Sequence, residues 1–412
     1  MSPFPPHLQP TITIHPLTNL LPAVNKPTDI SSANILRKLQ NVFSRSPLFK
    51  DWITAELDKR QRESNNQKRK RRTKRGQIRV KLGHGGTLDP MATGVLVVGV
   101  GSGTKMLSTM LGGEKEYIAT AMLGAATNTY DRLGKSTKRA EWRHVTREMV
   151  EEKLKLFRGE IMQIPPIFSA LNMNGKRLYE YARSGEELPK EIEARKMKVD
   201  RLELLDFETE HRWELPGLDE GAGESIKDLV QKGGKKVGEL GGLKGPEVKR
   251  VKVDEDSAGK ATTSRIKHTP TTVNTSAVAE GKPPVLRFHL TVSSGFYVRS
   301  FIHDLGIALG SAAHMVELVR TRQSSFKLGA ENTIEWEDFG LKERELLDRE
   351  KGKEVEKVEK EDVEEDVEED VKEEEEEGKE KPRPVWEEKF TRAMELFKQS
   401  ESVQMIAATP KY

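Results

Sequence analysis

Residues 81–96 read KLGHGGTLDPMATGVL, a glycine-rich loop that leads directly into an apolar run. The glycines allow backbone conformations, and the close approach of a bulky ligand, that larger residues would prevent. Pro90 favours an extended conformation for the preceding Asp89, which projects its carboxylate from the edge of the loop. From the loop alone, a turn-stabilising Asp89 is the default interpretation and a functional carboxylate is the alternative. The run from Val95 to Val100 is bounded by glycines and predicts a buried strand.

The charge of the chain indicates a polyanionic partner. The 412 residues carry 69 Lys plus Arg and 66 Asp plus Glu, a formal net charge of +3. Residues 353–380 alone hold 17 acidic and 5 basic side chains, so the rest of the chain is strongly basic. A basic protein of this kind most simply binds nucleic acid. The alternative is that the charges only keep the protein soluble.

Several classes of function are excluded by what the sequence lacks. Without cysteine there is no disulfide framework, Cys-ligated zinc, iron–sulfur cluster or thiol nucleophile. The nine histidines form no His-Glu-x-x-His pattern, so we expect neither metal nor cofactor. No apolar run is long enough to span a membrane. The residues before Lys26 contain no Lys or Arg, which does not fit a secretory signal or a transit peptide.

Composition predicts one folded domain interrupted by segments that bury little. No Phe, Tyr or Trp occurs between Trp213 and Phe288, so burial there cannot offset the entropy of ordering. The predicted organisation is a flexible segment at 1–22, a domain at 23–340 with a basic insertion at 53–79 and a low-complexity insertion at 217–284, and an acidic, mostly disordered tail at 341–412. An amphipathic helix is predicted in the tail near 385–397. The basic run at 68–75 is typical of a nuclear-localisation or RNA-contacting patch, or of a solvated loop.

Periodicity predicts an α+β domain, because strands and helices alternate irregularly along the folded part. Leu286 to Ser293 alternates apolar and polar residues, as half-buried strands do. The further predicted elements are a helix capped by Ser32, a strand over Tyr117–Leu123, a helix capped by Thr146, and a helix from Val298 that ends at Gly310.

A nucleotide-binding loop is the main alternative motif. Residues 99–105 read GVGSGTK and follow the predicted strand. Thr104 separates Gly103 from Lys105, so the P-loop pattern fails, and the glycine spacing fails the dinucleotide pattern. A strand-terminal turn is the better interpretation, with a minor backbone contact to phosphate left open.

Five ordered segments resemble the TruB-type pseudouridine synthases. Residues 81–96 resemble the hallmark loop of that family. The other four segments are Asn25-Lys26-Pro27 with Ser31-Ser32, Lys115-Glu116-Tyr117, the stretch 163–183, and 294–300. Gly85 stands where bacterial members usually have Thr, and Val319-Arg320 replaces a typical Arg-Arg pair. Bacterial members often carry a C-terminal PUA domain, whereas the matching region here is acidic and low in complexity. The insertions and the missing domain together resemble the fungal nuclear/mitochondrial branch.

The resemblance implies a pseudouridine-synthase fold, with a mixed, largely antiparallel sheet flanked by helices and no PUA domain. It also implies isomerisation of uridine to pseudouridine at position 55 in the TΨC loop of tRNA, with similar mRNA loops as further substrates. No cofactor is implied. We expect a monomer that contacts no membrane and resides in the nucleus, with mitochondrial or cytoplasmic pools.

The resemblance also assigns roles to seven residues. Asp89 is the essential carboxylate; addition to C1′, stabilisation of a glycal-like species and action as a base at C2′ all stay open. Arg299 is expected against Asp89, with a surface phosphate contact as the alternative. Tyr117 is expected to stack on the flipped base and to serve C5 deprotonation, against a plain core tyrosine. The implied substrate-binding residues are His84, filling the vacated stack, and Lys26, Lys105 and Arg320, contacting phosphates.

Overall fold

The computed structural model describes residues 19–20, 22–64, 78–217, 281–341 and 384–399. The chain divides into two compact units. Unit 1 contains the residues up to Ile118, Thr291–Ser294 and the residues from Leu318 onward, and unit 2 contains Ala119–Leu290 and Gly295–Glu317. Residues 1–18, 65–77, 218–280 and 342–383 lie outside the described ranges. The predictions for most of the N-terminal segment 1–22, for the basic run at 68–75, for most of the low-complexity insertion and for the acidic tract fall on these residues.

The described ranges contain strands and helices that alternate irregularly, as predicted. The strands are β1 Asn19–Leu20, β2 Ala23–Lys26, β3 Leu82–His84, β4 Thr93–Gly101, β5 Lys115–Leu123, β6 Ala125–Thr127, β7 Ser136–Arg139, β8 Gly159–Gln163, β9 Asn172–Met173, β10 Lys176–Arg177, β11 Arg195–Glu208, β12 Val285–Val292, β13 Ala313–Gln323, β14 Phe326–Lys327 and β15 Thr333–Glu335. The α-helices are α1 Ser32–Arg45, α2 Lys50–Gln61, α3 Leu107–Gly112, α4 Arg147–Leu154, α5 Leu178–Ser184, α6 Val298–Ala308 and α7 Val385–Gln399.

Unit 1 is organised around β4, which confirms the predicted strand after the glycine-rich loop. β2 pairs antiparallel with β4, with Val24 opposite Leu96, and β15 runs parallel to β2. β13 pairs parallel with β4, and Val319 lies opposite Thr93. The apolar residues of β4 are buried on both faces of the strand. Such a continuous apolar run is typical of a central strand that is covered on both sides.

Unit 2 is built on β12, β11 and β8, which are neighbours in that order. β11 and β8 are antiparallel, with Met197 opposite Ile161. In β12, Phe288 and Leu290 are buried and Arg287 is exposed, as predicted, but Thr291, which the alternation places on the polar face, is buried as well. α6 begins at Val298, and Gly310 adopts φ +69° just beyond the helix, as predicted. Both units therefore fit the predicted α+β class with a mixed, mostly antiparallel sheet.

Two local predictions in unit 1 need correction. The cap of α1 is Ser31, whose hydroxyl accepts from the Asn34 N–H, and Ser32 is the first residue of the helix. The two adjacent serines have equal capping propensity, so sequence alone did not separate them. α2 continues to Gln61, so the start of the predicted basic insertion at 53 is helical. This helix buries none of its residues, which is why its pattern resembled a polar loop.

The predicted amphipathic helix near the C-terminus is present as α7 and packs on unit 1. Trp386 and Phe390 are fully buried, and the Trp386 ring centroid lies 5.3 Å from that of Phe43 on α1. Lys389 pairs with Asp338 at 2.7 Å between nitrogen and oxygen. Part of the segment predicted as a mostly disordered tail is therefore a docked element of unit 1.

The described residues contain neither a membrane-spanning helix nor a metal-binding cluster. Within them, no helix is long and apolar enough to cross a bilayer. The same part of the chain contains no group of three or more His, Asp or Glu residues that could hold a metal ion.

Candidate active site

The Asp89 loop, residues 85–92, lies between β3 and β4 in unit 1. Asp89 is half-buried, and its carbonyl accepts from the Ala92 N–H at 3.0 Å, which closes a tight turn. At the end of the loop region Gly94 adopts φ +98°, and a Cβ there would lie 2.3 Å from the Arg320 carbonyl oxygen. Only glycine permits both this conformation and this approach of two strands. The sequence of the loop therefore fixes how it enters β4.

Side chains from the β2–α1 connection hold the loop backbone on both sides of Asp89. The Lys26 ammonium donates to the Pro90 carbonyl at 2.9 Å. The Thr28 hydroxyl donates to the Met91 carbonyl at 3.1 Å. The Ser32 hydroxyl both accepts from the Leu88 N–H and donates to the Leu88 carbonyl, at 3.0 and 3.1 Å. Buried carbonyls need such partners, so these three side chains fix the course of the loop.

Side chains from β13 hold the glycine half of the same loop. Arg320 is 1% exposed, and its guanidinium donates to the carbonyls of Val95 at 2.7 Å and Gly86 at 3.1 Å. Gln323 donates its amide to the Gly85 carbonyl. Buried with its donors on backbone oxygens, Arg320 has a structural position that does not fit the predicted phosphate contact. Lys26 is fully buried and does not fit that prediction either.

The cations around the loop are desolvated. Burial lowers the pKa of Lys26 to about 8, although Asp29 and Asp89 raise it, and Arg320 lowers it further. Burial and Arg320 likewise lower the pKa of Lys115 to about 8. Removal from water disfavours the charged form of an ammonium, so keeping either lysine protonated in the folded protein costs free energy. The contribution of Asp89 to the pKa of Lys26 shows that the carboxylate lies close enough to act on the Lys26 ammonium.

The remaining predicted residues of unit 1 occupy different environments. His84 is half-buried, and burial together with Arg320 lowers its pKa. Its Nδ1 atom is buried and finds no hydrogen-bond partner among the described residues. Tyr117 lies in β5 and is 6% exposed. Lys105 is exposed in a short 3₁₀ turn after β4, where a phosphate contact stays a prediction.

Arg299 lies in the first turn of α6 in unit 2 and is 4% exposed. Its guanidinium donates to the carbonyl of Phe168 at 2.8 Å and to that of Thr129 at 3.2 Å. These two bonds fix the orientation of the planar guanidinium. A guanidinium whose only contact was a phosphate at the surface would be held less firmly. Asp89 and Arg299 belong to different units, and their expected proximity stays a prediction.

Gln163 was not assigned a role from the sequence, although it lies in one of the five segments. Its side-chain amide accepts from the Tyr297 N–H at 2.8 Å and donates to the Tyr297 carbonyl at 3.0 Å. Tyr297 precedes α6 and lies two residues before Arg299. The available signal was a glutamine between apolar residues on β8, a polar group that needs a partner when buried. Its partner is 134 residues away, which periodicity cannot reveal.

Comparison with known proteins identifies the family. The model described as TruB family pseudouridylate synthase (N terminal domain) matches residues 69–216. The tRNA pseudouridine synthase 4 of Schizosaccharomyces pombe is 40% identical over 340 residues, which cover 77% of this chain and 81% of that protein. The protein of the same name from Saccharomyces cerevisiae is 30% identical, with 77% and 80% covered. The chain therefore belongs to the TruB family of pseudouridine synthases. A more distant likeness among solved structures is a Cbf5-Nop10-Gar1 complex, with 21% identity, a TM-score of 0.40, and 78% of this chain and 54% of that chain covered.

Proposed function

We propose that this protein isomerises uridine to pseudouridine in tRNA, at position 55 of the TΨC loop. Its membership of the TruB family and its similarity to two tRNA pseudouridine synthases support the substrate class. The observation that carries the proposal is the Asp89 loop. Its backbone is held by buried side chains, and Asp89 is half-buried at the end of a glycine-rich stretch.

The proposed reaction conserves all atoms and electrons. The bond between N1 of uracil and C1′ of ribose breaks, the base turns, and C5 bonds to C1′. The proton on C5 leaves, and N1 gains a proton. A reaction of this kind needs a carboxylate near the sugar or base, a proton acceptor for C5, and an extruded nucleotide. Extrusion from the loop costs roughly a few kcal/mol of unstacking.

The residues divide these tasks in our proposal. Asp89 acts on the sugar or the base, by addition to C1′, by stabilising a glycal-like species or as a base at C2′. Arg299 neutralises and orients Asp89. Tyr117 contacts the flipped base and accepts the C5 proton, directly or through water. His84, whose pKa is lowered by burial and by Arg320 so that the neutral imidazole is favoured, fills the space that the base leaves.

Three finer elements extend this proposal. A stem-loop of mRNA that presents the same loop is a further substrate, because the chemistry requires only the extruded uridine and its surroundings. The basic run at 68–75 contributes phosphate contacts or nuclear targeting. The protein acts as a monomer. In this proposal its own side chains, those of Asp89, Arg299, Tyr117 and His84, carry out the reaction.

Release of tritium from tRNA that carries [5-³H]uridine tests the proposal, since C5 loses its hydrogen only when the new bond forms. We expect one equivalent released per tRNA without added nucleotide, and none from a transcript with cytidine at position 55. Asp89→Asn keeps the size of the side chain and removes its charge. It is expected to lower the rate by about 10³-fold or more while tRNA affinity stays within about twofold.

An RNA-binding protein without catalytic activity is the second candidate. It would bind the tRNA and release no tritium at any enzyme concentration. Release at the wild-type rate from Asp89→Asn would instead contradict the role of Asp89 while leaving the activity itself in place. An mRNA stem-loop in a parallel reaction tests the wider substrate range.

A further inference from the structure

Ser32 begins α1 without capping it. Its neighbour Ser31 provides the cap, so the Ser32 hydroxyl is available for another partner. That partner is Leu88, 56 residues further along the chain. One hydroxyl satisfies both the N–H and the carbonyl of Leu88, and Ser32 is only 2% exposed. Because the pair is buried, water cannot replace the hydroxyl without opening the structure.

These bonds bear directly on the direction of the Asp89 side chain. Asp89 lies between two peptide planes, one shared with Leu88 and the other with Pro90. The plane shared with Pro90 is held by a backbone bond, from the Ala92 N–H to the Asp89 carbonyl at 3.0 Å. The plane shared with Leu88 is held by the Ser32 hydroxyl at 3.1 Å. The orientation of these planes sets the direction of the Asp89 Cα–Cβ bond, so the Ser32 hydroxyl helps to fix the direction in which the side chain leaves the backbone.

We propose that Ser32 is a positioning residue that aims the Asp89 carboxylate by fixing the peptide plane before it. The inference rests on the proposed function, in which Asp89 acts on the flipped uridine. A displacement of about 1 Å in a reacting group can cost about 10²-fold in rate, even when the change lies outside the chemistry. Loss of the hydroxyl leaves two buried backbone groups of Leu88 without partners, and the loop relaxes to satisfy them. The expected consequence is a lower rate of the chemical step with tRNA binding retained.

The chain offers a matched control at the other end of the same helix. Ser46 follows α1, is also buried, and its hydroxyl donates to Glu387 at 2.5 Å and accepts from the Leu48 N–H at 3.1 Å. Ser32→Ala and Ser46→Ala each remove one buried hydroxyl with two hydrogen bonds. Both are expected to lower Tm by about 2–8 °C. Only Ser32→Ala changes the support of the Asp89 loop.

Single-turnover tritium release with saturating enzyme measures the chemical step, and filter binding measures tRNA affinity. At a temperature where all variants are folded, we expect Ser32→Ala to lower the single-turnover rate by about 10–100-fold and to leave the Kd within about twofold. Ser46→Ala is expected to keep the wild-type rate. Ser32→Thr retains a hydroxyl and is expected to restore most of the rate.

The inference is overturned if Ser32→Ala reacts as fast as Ser46→Ala, or if Ser32→Thr is as slow as Ser32→Ala while folded. If Ser32→Ala does not fold, Ser32→Cys replaces it, because a thiol is a weak hydrogen-bonding group. A wild-type rate from Ser32→Cys would then overturn the inference, and a rate reduced by about fivefold or more would support it. Failure of the proposed function looks different, since wild-type protein itself would release no tritium.

Discussion

The Asp89 loop of unit 1 and the Arg299 helix of unit 2 hold their candidate residues in opposite ways. Around Asp89 the backbone accepts hydrogen bonds from buried side chains, and Asp89 itself is half-buried. Arg299 is held by its own guanidinium, which donates to the carbonyls of Thr129 and Phe168. In each region one buried side chain also bonds to both the N–H and the carbonyl of a residue that lies one or two positions before the candidate residue. Ser32 does so for Leu88, and Gln163 does so for Tyr297.

This difference predicts where each region is sensitive to mutation. A loop residue has no regular hydrogen-bond ladder, so its direction depends on the side chains that hold the loop. A residue in the first turn of a helix is oriented by the helix, and Arg299 adds two bonds of its own. Substitution of a residue that holds the Asp89 loop should therefore lower the reaction rate even though that residue does not itself take part in the chemistry. Around Arg299, the largest effect should come from Arg299 itself.

Among the substitutions that test this comparison of the two regions, the largest effect is expected from Arg299→Lys. Lysine keeps the positive charge but cannot donate in two fixed directions from one planar group. One of the two carbonyls loses its donor, and the charge takes a new position. We expect the single-turnover rate of tritium release to fall by about 10²–10³-fold, with tRNA affinity nearly unchanged.

Arg287→Lys is the matched control for this substitution. Arg287 is an exposed residue of β12 in the same unit, and its guanidinium lies 3.8 Å from the Asp206 carboxylate. Because exposed ion pairs contribute about 0–1 kcal/mol, this variant should react like wild type. A rate for Arg299→Lys within about threefold of wild type would show that the charge alone is needed.

The sequence predicted the elements whose residues interact locally. The alternation in β12, the apolar run of β4, the helix that ends before Gly310 and the amphipathic α7 all follow from spacing along the chain. The resemblance to a family supplied the candidate residues. What the residues alone could not give is the set of long-range polar contacts. Lys26 and Arg320 were expected at the surface because charged residues usually lie there, yet both are buried with their donors on backbone carbonyls.

A smaller effect on catalysis is expected from Gln163→Met, which sharpens the comparison with Ser32. The variant leaves the N–H and carbonyl of Tyr297 without their partner, at a cost in stability of about 2 kcal/mol. Because α6 and the guanidinium bonds still orient Arg299, the single-turnover rate should fall by less than about threefold. Urea unfolding and tritium release measure the two quantities.

Gln40→Met serves as its control, since the Gln40 amide makes a bond of 3.3 Å to the Val80 carbonyl from a half-buried position. Its stability should change by less than about 1 kcal/mol. If Gln163→Met slowed the reaction as much as Ser32→Ala, loss of a supporting hydrogen bond would disturb a residue in a helix as much as a residue in a loop. The proposed difference between the two regions would then be wrong.

The smallest effect is a pH dependence of stability that arises from the buried cations beside the loop. Lys115 donates to the carbonyls of Leu111 at 2.9 Å and Gly113 at 2.6 Å, and burial lowers its pKa to about 8. In the unfolded chain its pKa is near the ordinary value of 10.5. Between these two values the unfolded chain binds more protons than the folded protein, so the contribution of Lys115 to stability rises with pH. Below about pH 8 the full cost of burying the charge is present.

Comparison of wild type with Lys115→Met isolates this contribution, because all other titrating groups are shared. The variant loses the bonds to the two carbonyls at every pH, which shifts its stability by a constant amount. The free energy of unfolding of wild type minus that of the variant should therefore increase by about 1 kcal/mol between pH 7 and pH 9. Urea unfolding at several pH values measures this difference. A difference that stays constant with pH would mean that the hydrogen bonds to Leu111 and Gly113 offset the desolvation of the ammonium, so that Lys115 keeps its full charge in the folded protein.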